Sequence, residues 1–273
     1  MNTIILHSKD IEVATKISSG FKSEIEPKKN HIRIHTNQSV DLYPLRQKHQ
    51  LDINYQPSHF DFENVAIFVS DMDSTLINIE CIDEIADFAN LKEEVSVITE
   101  RAMSGDIDFN SALIERVSLL EGLGVEVLAK VYTERLKVNP GGKELINFFK
   151  SREIKTAVVS GGFTYFTDKL SKDIGLNYSM ANILEVENSK LTGRIQGAIV
   201  NATSKADFVK DLCDRHSIST DNVIVAGDGA NDLEMMQVAG LSIGYHAKEA
   251  VFAKADIVIK FSGLGIIMDL FDV

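Results

Sequence analysis

The chain has 273 residues and a formal net charge of −12 at pH 7, from 28 Lys and Arg residues against 40 Asp and Glu residues. An acidic chain is a poor ligand for nucleic acids and anionic membranes, so we expect neither as a partner. Two cysteines are too few for a disulfide scaffold, and the sequence has neither a membrane-length apolar run nor a signal-peptide pattern at its start. We therefore expect a cytoplasmic protein.

Residues 1–60 differ in composition from the rest, with eight Lys and Arg residues, six Asp and Glu residues and three of the four prolines. Apolar and period-two patterns predict strands at Thr3–His7 and His31–His35, and Asp10–Phe21 has the pattern of a helix. We predict a small N-terminal α+β domain over residues 1–60. So short a unit is expected to dock on the remainder or to support a homodimer.

From residue 61 onward, apolar strands alternate with amphipathic helices. Continuous apolar runs predict strands buried on both faces of a sheet at Val65–Val69, Lys155–Val159 and Val223–Ala226, with shorter ones at Leu241–Tyr245 and Ile257–Ile259. This alternation is typical of right-handed βαβ units. We predict an α/β fold with a doubly wound, mostly parallel sheet, built from residues 61–79 and 138–273.

One long segment, residues 80–137, interrupts the alternation. It contains helical patterns only, at Cys81–Ala89, Glu93–Met103, Asn110–Leu120 and Val125–Leu136. An all-helical insert placed directly after the first core strand predicts a cap that covers one end of the sheet.

Three short polar motifs follow the strongest strands. They are DMDST beginning at Asp71, SGG beginning at Ser160, and GDGAND beginning at Gly227. In open α/β sheets, ligands bind beyond the carboxyl ends of the strands. If the three strands are parallel neighbours, the motifs meet in one crevice.

That convergence would bring four carboxylates together, those of Asp71, Asp73, Asp228 and Asp232. Without a cation they would repel one another, and their pKa values would rise. An all-oxygen ligand set points to a hard divalent cation, Mg²⁺ first and Mn²⁺ as a substitute. Mg²⁺ leaves coordination positions for phosphate, which suggests phosphoryl transfer.

The remaining motifs fit that chemistry. Ser160 with Gly161 and Gly162 offers a hydroxyl and backbone N–H groups to an anion, and Lys205 adds a positive charge. Asp71 and Asp73 could divide the roles of nucleophile and general acid/base. Each motif alone is also found in ordinary turns, and it is their occurrence in order, one at each strand end, that favours a catalytic site.

The ordered motifs resemble the haloacid dehalogenase superfamily of phosphatases over residues 64–273. The resemblance implies that Asp71 is the nucleophile and a Mg²⁺ ligand, and that Asp73 is the general acid/base and offers its main-chain carbonyl to the metal. It further implies metal ligation by Asp228 with support from Asp232, phosphate binding by Ser160, Gly161 and Gly162, charge neutralisation by Lys205, and orientation of groups near the phosphate by Asn231.

The cap is similar to that of superfamily members that hydrolyse O-phospho-L-serine. The resemblance implies that Glu80 meets the substrate ammonium and Arg116 its carboxylate. It also implies that Met103 and Phe109 line the pocket, and that the reaction is the last step of serine biosynthesis. The charges support this in part, because a zwitterion needs one group of each sign and a planar guanidinium suits a carboxylate.

Two alternatives stay open at this point. The first is a related phosphatase, or a phosphotransferase with an acceptor such as homoserine, acting on another small phosphomonoester. The second is a non-catalytic protein that senses an amino acid through residues 1–60. The acidic cluster weighs against a sensor, which needs no nucleophile.

Overall fold

A computed structural model describes residues 2–271 of the chain, apart from the side chain of Met103. Its N-terminal part is a four-stranded antiparallel sheet with two helices. Its strands follow the spatial order β2-β3-β1-β4 and enclose a small core of their own. The elements are β1 (Asn2–Leu6), α1 (Ile11–Ser18), β2 (Ser23–Pro27), β3 (Ile32–Thr36), α2 (Leu42–His49) and β4 (Ile53–Tyr55).

The next strand, β5 (Ile67–Ser70), opens the larger sheet and is buried along its whole length. After it the chain enters the helical insert. The insert contains α3 (Cys81–Phe88), α4 (Lys92–Met103), α5 (Phe109–Ser118) and α6 (Glu126–Lys130). The sequence pattern predicts one helix over Val125–Leu136, but α6 passes into a wider π-helical turn at Val131–Arg135 and the backbone is extended at Leu136.

The remainder of the chain completes a seven-stranded sheet in the order β11-β10-β9-β5-β6-β7-β8. Every neighbouring pair in it is parallel except β7 with β8. The elements are α7 (Gly142–Ser151), β6 (Lys155–Phe163), α8 (Thr164–Ile174), β7 (Tyr178–Glu187), β8 (Lys190–Gln196), α9 (Ala202–His216), β9 (Val223–Gly227), α10 (Leu233–Val238), β10 (Leu241–Tyr245), α11 (Glu249–Phe252) and β11 (Ile257–Ile259).

Helices cover both faces of this sheet. On one face Phe68 of β5 packs in the same cluster as Phe149 of α7 and Phe166 of α8. On the other face Val69 shares a cluster with helices α9 and α10. The predicted doubly wound, mostly parallel sheet is thus confirmed, and β5 lies between β9 and β6, so the three predicted motifs end at neighbouring strands.

The insert is attached to the sheet at two places. At its stem, Ile77 pairs with Val138 in an antiparallel bridge. At its far side, the tip of the β7–β8 hairpin exchanges backbone hydrogen bonds with residues 122–125, including Gly122 N–H to Leu191 O and Leu191 N–H to Leu123 O, both 2.8 Å. The hairpin therefore holds the insert over the carboxyl ends of the central strands.

The chain between the two sheets runs from Tyr55 to Ile67. The predicted limit at residue 60 falls inside this connection, and the predicted limits of the insert, 80 and 137, fall next to the stem bridge. These domain limits stay predictions. Among residues 2–271 no helix combines the length and the apolar character that a membrane crossing requires.

Candidate active site

Asp71 and Asp73 lie directly beyond the end of β5. Both carboxylates are buried, at 4% and 8% exposure. The backbone makes a tight turn over Met72–Leu76, in which Ser74 has a positive φ of 57°. A positive φ at a residue other than glycine is unusual and commonly marks a functional turn.

A buried carboxylate cluster forms where β5 meets β9. Asp71, Asp228 and Asp232 each place a carboxylate oxygen within 4.8 Å of the other two. Lys205 Nζ, itself fully buried on α9, donates to Asp71 Oδ1 and to Asp232 Oδ1 at 2.7 Å each. Burial lowers the pKa of Lys205, but the charges of Asp232 and Asp71 outweigh it, and the net direction is upward. Lys205 is therefore a permanent cation in this cluster.

Two carboxyl groups of this cluster, Asp71 and Asp228, have raised pKa values. Burial, and then the charge of Asp232, raise the pKa of Asp71 well above its usual range. Burial, followed again by Asp232, raises the pKa of Asp228 to about 6. One Lys205 does not neutralise three carboxylates, so the excess negative charge and the all-oxygen donor set fit a hard divalent cation.

Asp73 points to different partners from those of the other carboxylates. Its Oδ1 accepts the backbone N–H of Cys81 at 2.8 Å, and its Oδ2 accepts the Ser160 hydroxyl at 2.9 Å. Burial raises its pKa, while these hydrogen bonds act in the opposite direction. A buried carboxyl with a raised pKa is suited to hold and release a proton.

Ser160, Gly161 and Gly162 form the wall opposite Asp73. The sequence predicts a strand that ends at Val159, but the strand β6 continues to Phe163, with an irregular register after Val159. A side chain on Gly162 would reach within 2.5 Å of Asp73 Oδ2, and one on Gly161 within 2.9 Å of the Phe109 ring. Glycine at 162 lets the backbone lie against the Asp73 carboxylate, and glycine at 161 leaves room for the Phe109 ring.

A cavity of about 820 Å³ opens above the cluster, between the sheet and the helical insert. Most of the predicted substrate residues line it, namely Glu80, Phe109, Arg116, Ser160, Gly161, Gly162 and Asn231, together with the carboxylates Asp71, Asp73 and Asp228. Lys205 and Asp232 are fully buried. The predicted role of Met103 concerns a side chain outside the described part of the structure.

Glu80 and Arg116 face the cavity from the insert. Glu80 precedes α3 and accepts the Ser74 hydroxyl at 2.7 Å. Burial, and then the charge of Asp73, raise its pKa to about 7. Arg116, on α5, donates from Nε to Ala112 O at 3.3 Å. Burial lowers the pKa of Arg116, and the charges of Asp83 and Glu80 partly offset this lowering. The cavity thus presents one group of each sign above the acidic cluster.

A family model described as haloacid dehalogenase-like hydrolase matches residues 65–240. The chain belongs to the haloacid dehalogenase-like hydrolase family. That membership agrees with the motif order and with the fold, and it accounts for the acidic cluster, because hydrolases of this family are generally metal dependent.

The relatives of this hydrolase include named phosphatases. It is 51% identical over 207 residues to the phosphoserine phosphatase of Archaeoglobus fulgidus, and the alignment covers 76% of this chain and 60% of that protein. It is 44% identical over 216 residues to the phosphoserine phosphatase of Albidiferax ferrireducens, with 77% and 90% coverage. The chain therefore spans about 60% of the length of the first relative and nearly all of the second.

A solved structure matches nearly the whole of this hydrolase. It is the unliganded form of a probable phosphoserine phosphatase from Vibrio cholerae, with a TM-score of 0.87 and 35% identity over 98% of this chain and 85% of that one. The match includes the N-terminal sheet, so this part of the architecture is shared with that protein.

Sequence reasoning missed several residues of the hydrolase site. Asn182, fully buried on β7, donates to Gly161 O at 2.8 Å and accepts Val200 N–H at 2.8 Å. It fixes the backbone of the glycine pair. Asp83 and Lys248 also line the cavity, and the sequence analysis predicts a role for neither. A single Asn in a partly exposed hairpin strand carries no sequence signal, whereas Asp83 lies three residues after Glu80 and could have been found from helical spacing.

The raised carboxyl pKa values make the metal-free hydrolase sensitive to pH. A folded-state pKa above the unfolded value means that folding takes up protons, so the free energy of unfolding falls as pH rises through this window. For Asp228, whose pKa rises from 3.8 to about 6, we expect a loss on the order of 1 kcal/mol between about pH 5 and about pH 7.5.

Denaturant unfolding in EDTA at the two pH values measures this loss, with Asp228→Asn as the matched variant. The variant should show a shallower pH dependence than the parent, and excess Mg²⁺ should restore the parent at the higher pH. Equal slopes for the parent and the variant would contradict the assignment.

Proposed function

We propose that this chain is a Mg²⁺-dependent phosphatase that hydrolyses O-phospho-L-serine to L-serine and phosphate. The observation that carries the proposal is the cavity itself, because it joins the buried Asp71–Lys205 cluster to an opposite-charge pair, Glu80 and Arg116, on the insert. The identity with the phosphoserine phosphatases described above supports the same substrate.

In the first half-reaction, an Asp71 carboxylate oxygen attacks phosphorus, and the bond from phosphorus to the seryl oxygen breaks. Asp73, acting as the general acid, gives its proton to that oxygen, so serine leaves with a neutral hydroxyl group. The product left on the enzyme is an aspartyl-phosphate.

In the second half-reaction, water attacks the same phosphorus atom. The Asp73 carboxylate accepts the water proton, the bond from phosphorus to Asp71 breaks, and phosphate leaves. Both carboxyl groups return to their starting states. Asp73 is buried beside Ser160, a position from which it can serve as acid first and as base second.

The other residues bind and neutralise the phosphoryl group. Ser160, Gly161 and Gly162 supply hydrogen-bond donors, Asn231 orients groups near the phosphate, and Lys205 keeps a positive charge on the Asp71 side. The side chains of Asp71, Asp228 and Asp232 and the main-chain carbonyl of Asp73 would hold the metal. When bound, Mg²⁺ supplies further neutralisation of the phosphoryl charge.

Specificity for phosphoserine comes from the insert. Glu80 binds the substrate ammonium and Arg116 its carboxylate, while Phe109 and Met103 supply apolar walls. We place the activity in the cytoplasm, as the last step of serine biosynthesis, with Mn²⁺ able to replace Mg²⁺ and with a homodimer as the assembly.

Phosphate release tests the proposal. O-phospho-L-serine, O-phospho-L-threonine, a sugar phosphate and p-nitrophenyl phosphate are compared with Mg²⁺ and with EDTA. We expect a strong preference for phosphoserine and loss of release in EDTA. Phosphate release from the other esters but not from phosphoserine would overturn the proposed substrate. Phosphorylation of added homoserine would indicate a phosphotransferase instead.

A further inference from the structure

The N-terminal sheet is joined to the edge of the larger sheet by buried polar side chains. Asn54 of β4 is fully buried, and its amide both donates to Val258 O and accepts Val258 N–H, at 3.0 Å each. It therefore pairs with the outer edge of β11 as another strand would. Gln56 donates from Nε2 to Leu270 O at 3.2 Å.

Asp52 makes a different kind of contact in the same interface. Its carboxylate is fully buried and accepts three consecutive backbone N–H groups beyond the end of β11. The distances are 2.7 Å from Lys260 to Oδ1, 3.1 Å from Phe261 to Oδ2 and 2.8 Å from Ser262 to Oδ2. Successive N–H groups form an anion-binding nest, and hydrogen bonds to a charged acceptor are among the stronger ones.

The segment held by Asp52 is connected to the catalytic cluster. Ser262 O accepts the His246 side chain at 2.9 Å, and His246 N–H donates to Ile259 O at 2.7 Å. His246 has a φ of 45°, a strained conformation that its surroundings must maintain. Two residues later, Lys248 N–H donates to Asp228 O at 2.9 Å. The turn between β10 and α11 is thus fixed at one end to the Asp52-bound segment and at the other to Asp228.

We propose that Asp52 is a positioning residue for the metal-binding loop 227–232, acting through residues 260–262 and the turn at His246. The N-terminal sheet therefore does more than dock on the larger sheet, because the buried Asp52 carboxylate beside β4 sets the position of Asp228. This inference rests on the proposed metal-dependent function.

Two substitutions interrupt the connection at separate points. Asp52→Asn keeps the shape and one carbonyl oxygen but removes the charge from the nest. His246→Ala removes the hydrogen bond to Ser262 and lies at an exposed position outside the interface. Gln56→Ala is the matched control, since it deletes an interface hydrogen bond that ends on the 264–271 segment instead.

Mn²⁺ binding to the full chain without substrate is followed by the electron paramagnetic resonance signal of free Mn²⁺, and thermal unfolding is recorded in EDTA. We expect Asp52→Asn and His246→Ala each to weaken Mn²⁺ binding about three- to tenfold, with Gln56→Ala within about twofold of the parent. His246→Ala should unfold at nearly the parental temperature, which separates the effect from general loss of stability.

Unchanged Mn²⁺ affinity in Asp52→Asn and His246→Ala would overturn the inference and leave Asp52 as an interface contact only. Equal weakening in all three variants would overturn it too, because the effect would then follow from loosening of the interface. Failure of the proposed function is distinguishable, since it appears as Mn²⁺ binding by the parent without any phosphate release from O-phospho-L-serine.

Discussion

Asp71→Asn is expected to lower kcat for O-phospho-L-serine at least about 10³-fold while the protein stays folded. An amide oxygen is a far weaker nucleophile than a carboxylate, and no other group in the cavity can form the same intermediate from that position. The fold should tolerate the change, because the amide keeps the side-chain volume and can still accept the Lys205 hydrogen bond. Steady-state phosphate release and thermal unfolding in EDTA measure the two effects.

Asp207→Asn is the control for that substitution. Asp207 lies on the same helix as Lys205, but it is exposed and pairs with Lys210 at 3.1 Å. The kcat of the Asp207→Asn variant should equal that of the parent. A kcat for Asp71→Asn within about tenfold of the parent would contradict the nucleophile assignment, since a missing nucleophile costs orders of magnitude.

Arg116→Ala is expected to lower kcat/KM for O-phospho-L-serine about 10- to 100-fold, with little change for p-nitrophenyl phosphate. The physical reason is a lost charge-assisted hydrogen bond to the substrate carboxylate, worth about 1.5–3 kcal/mol. Only the amino acid substrate has that carboxylate. Glu80→Gln should act in the same direction through the substrate ammonium.

Arg101→Ala provides the matched control on the same insert. Arg101 is bound to Glu115 at 2.7 Å on the partly exposed surface, so its loss should leave both substrates unaffected. If Arg116→Ala lowered hydrolysis of both substrates equally, the residue would support the fold of the insert or the phosphoryl site, and the selectivity assignment would be wrong.

The strands that carry the candidate site could be predicted because each of them is recognisable alone. The strands β5 and β9 are continuous apolar runs, and a polar motif follows each run directly. The parallel arrangement then places Asp71 beside Asp228, although they are far apart in the chain. The family motifs predict a role for each carboxylate, and the structure shows that the carboxylates are neighbours.

The β7–β8 hairpin could not be predicted in the same way. Its strands are half exposed and mix apolar with charged residues, with Ile183 and Val186 facing solvent. Their conformation depends on pairing with each other and with residues 122–125 of the insert, which are contacts distant in sequence. Asn182, which holds Gly161, was missed for that reason.

The role of the N-terminal sheet could not be predicted from the sequence either. The strand β4 has three residues, too few for a period-two pattern, and Asp52 precedes it as an ordinary acidic residue. What distinguishes Asp52 is its burial against the N–H groups of residues 260–262, more than two hundred positions away. Single-sequence reasoning has no access to such a pairing.

Trapping the phosphorylated protein tests the central claim most directly. Turnover of O-phospho-L-serine with Mg²⁺ is quenched in acid, and the peptides are mapped by mass spectrometry. A phosphoryl group on the peptide that contains Asp71, absent in Asp71→Asn, is the result we predict. A phosphoryl group on Ser160, or rapid phosphate release with no modified Asp71, would contradict it.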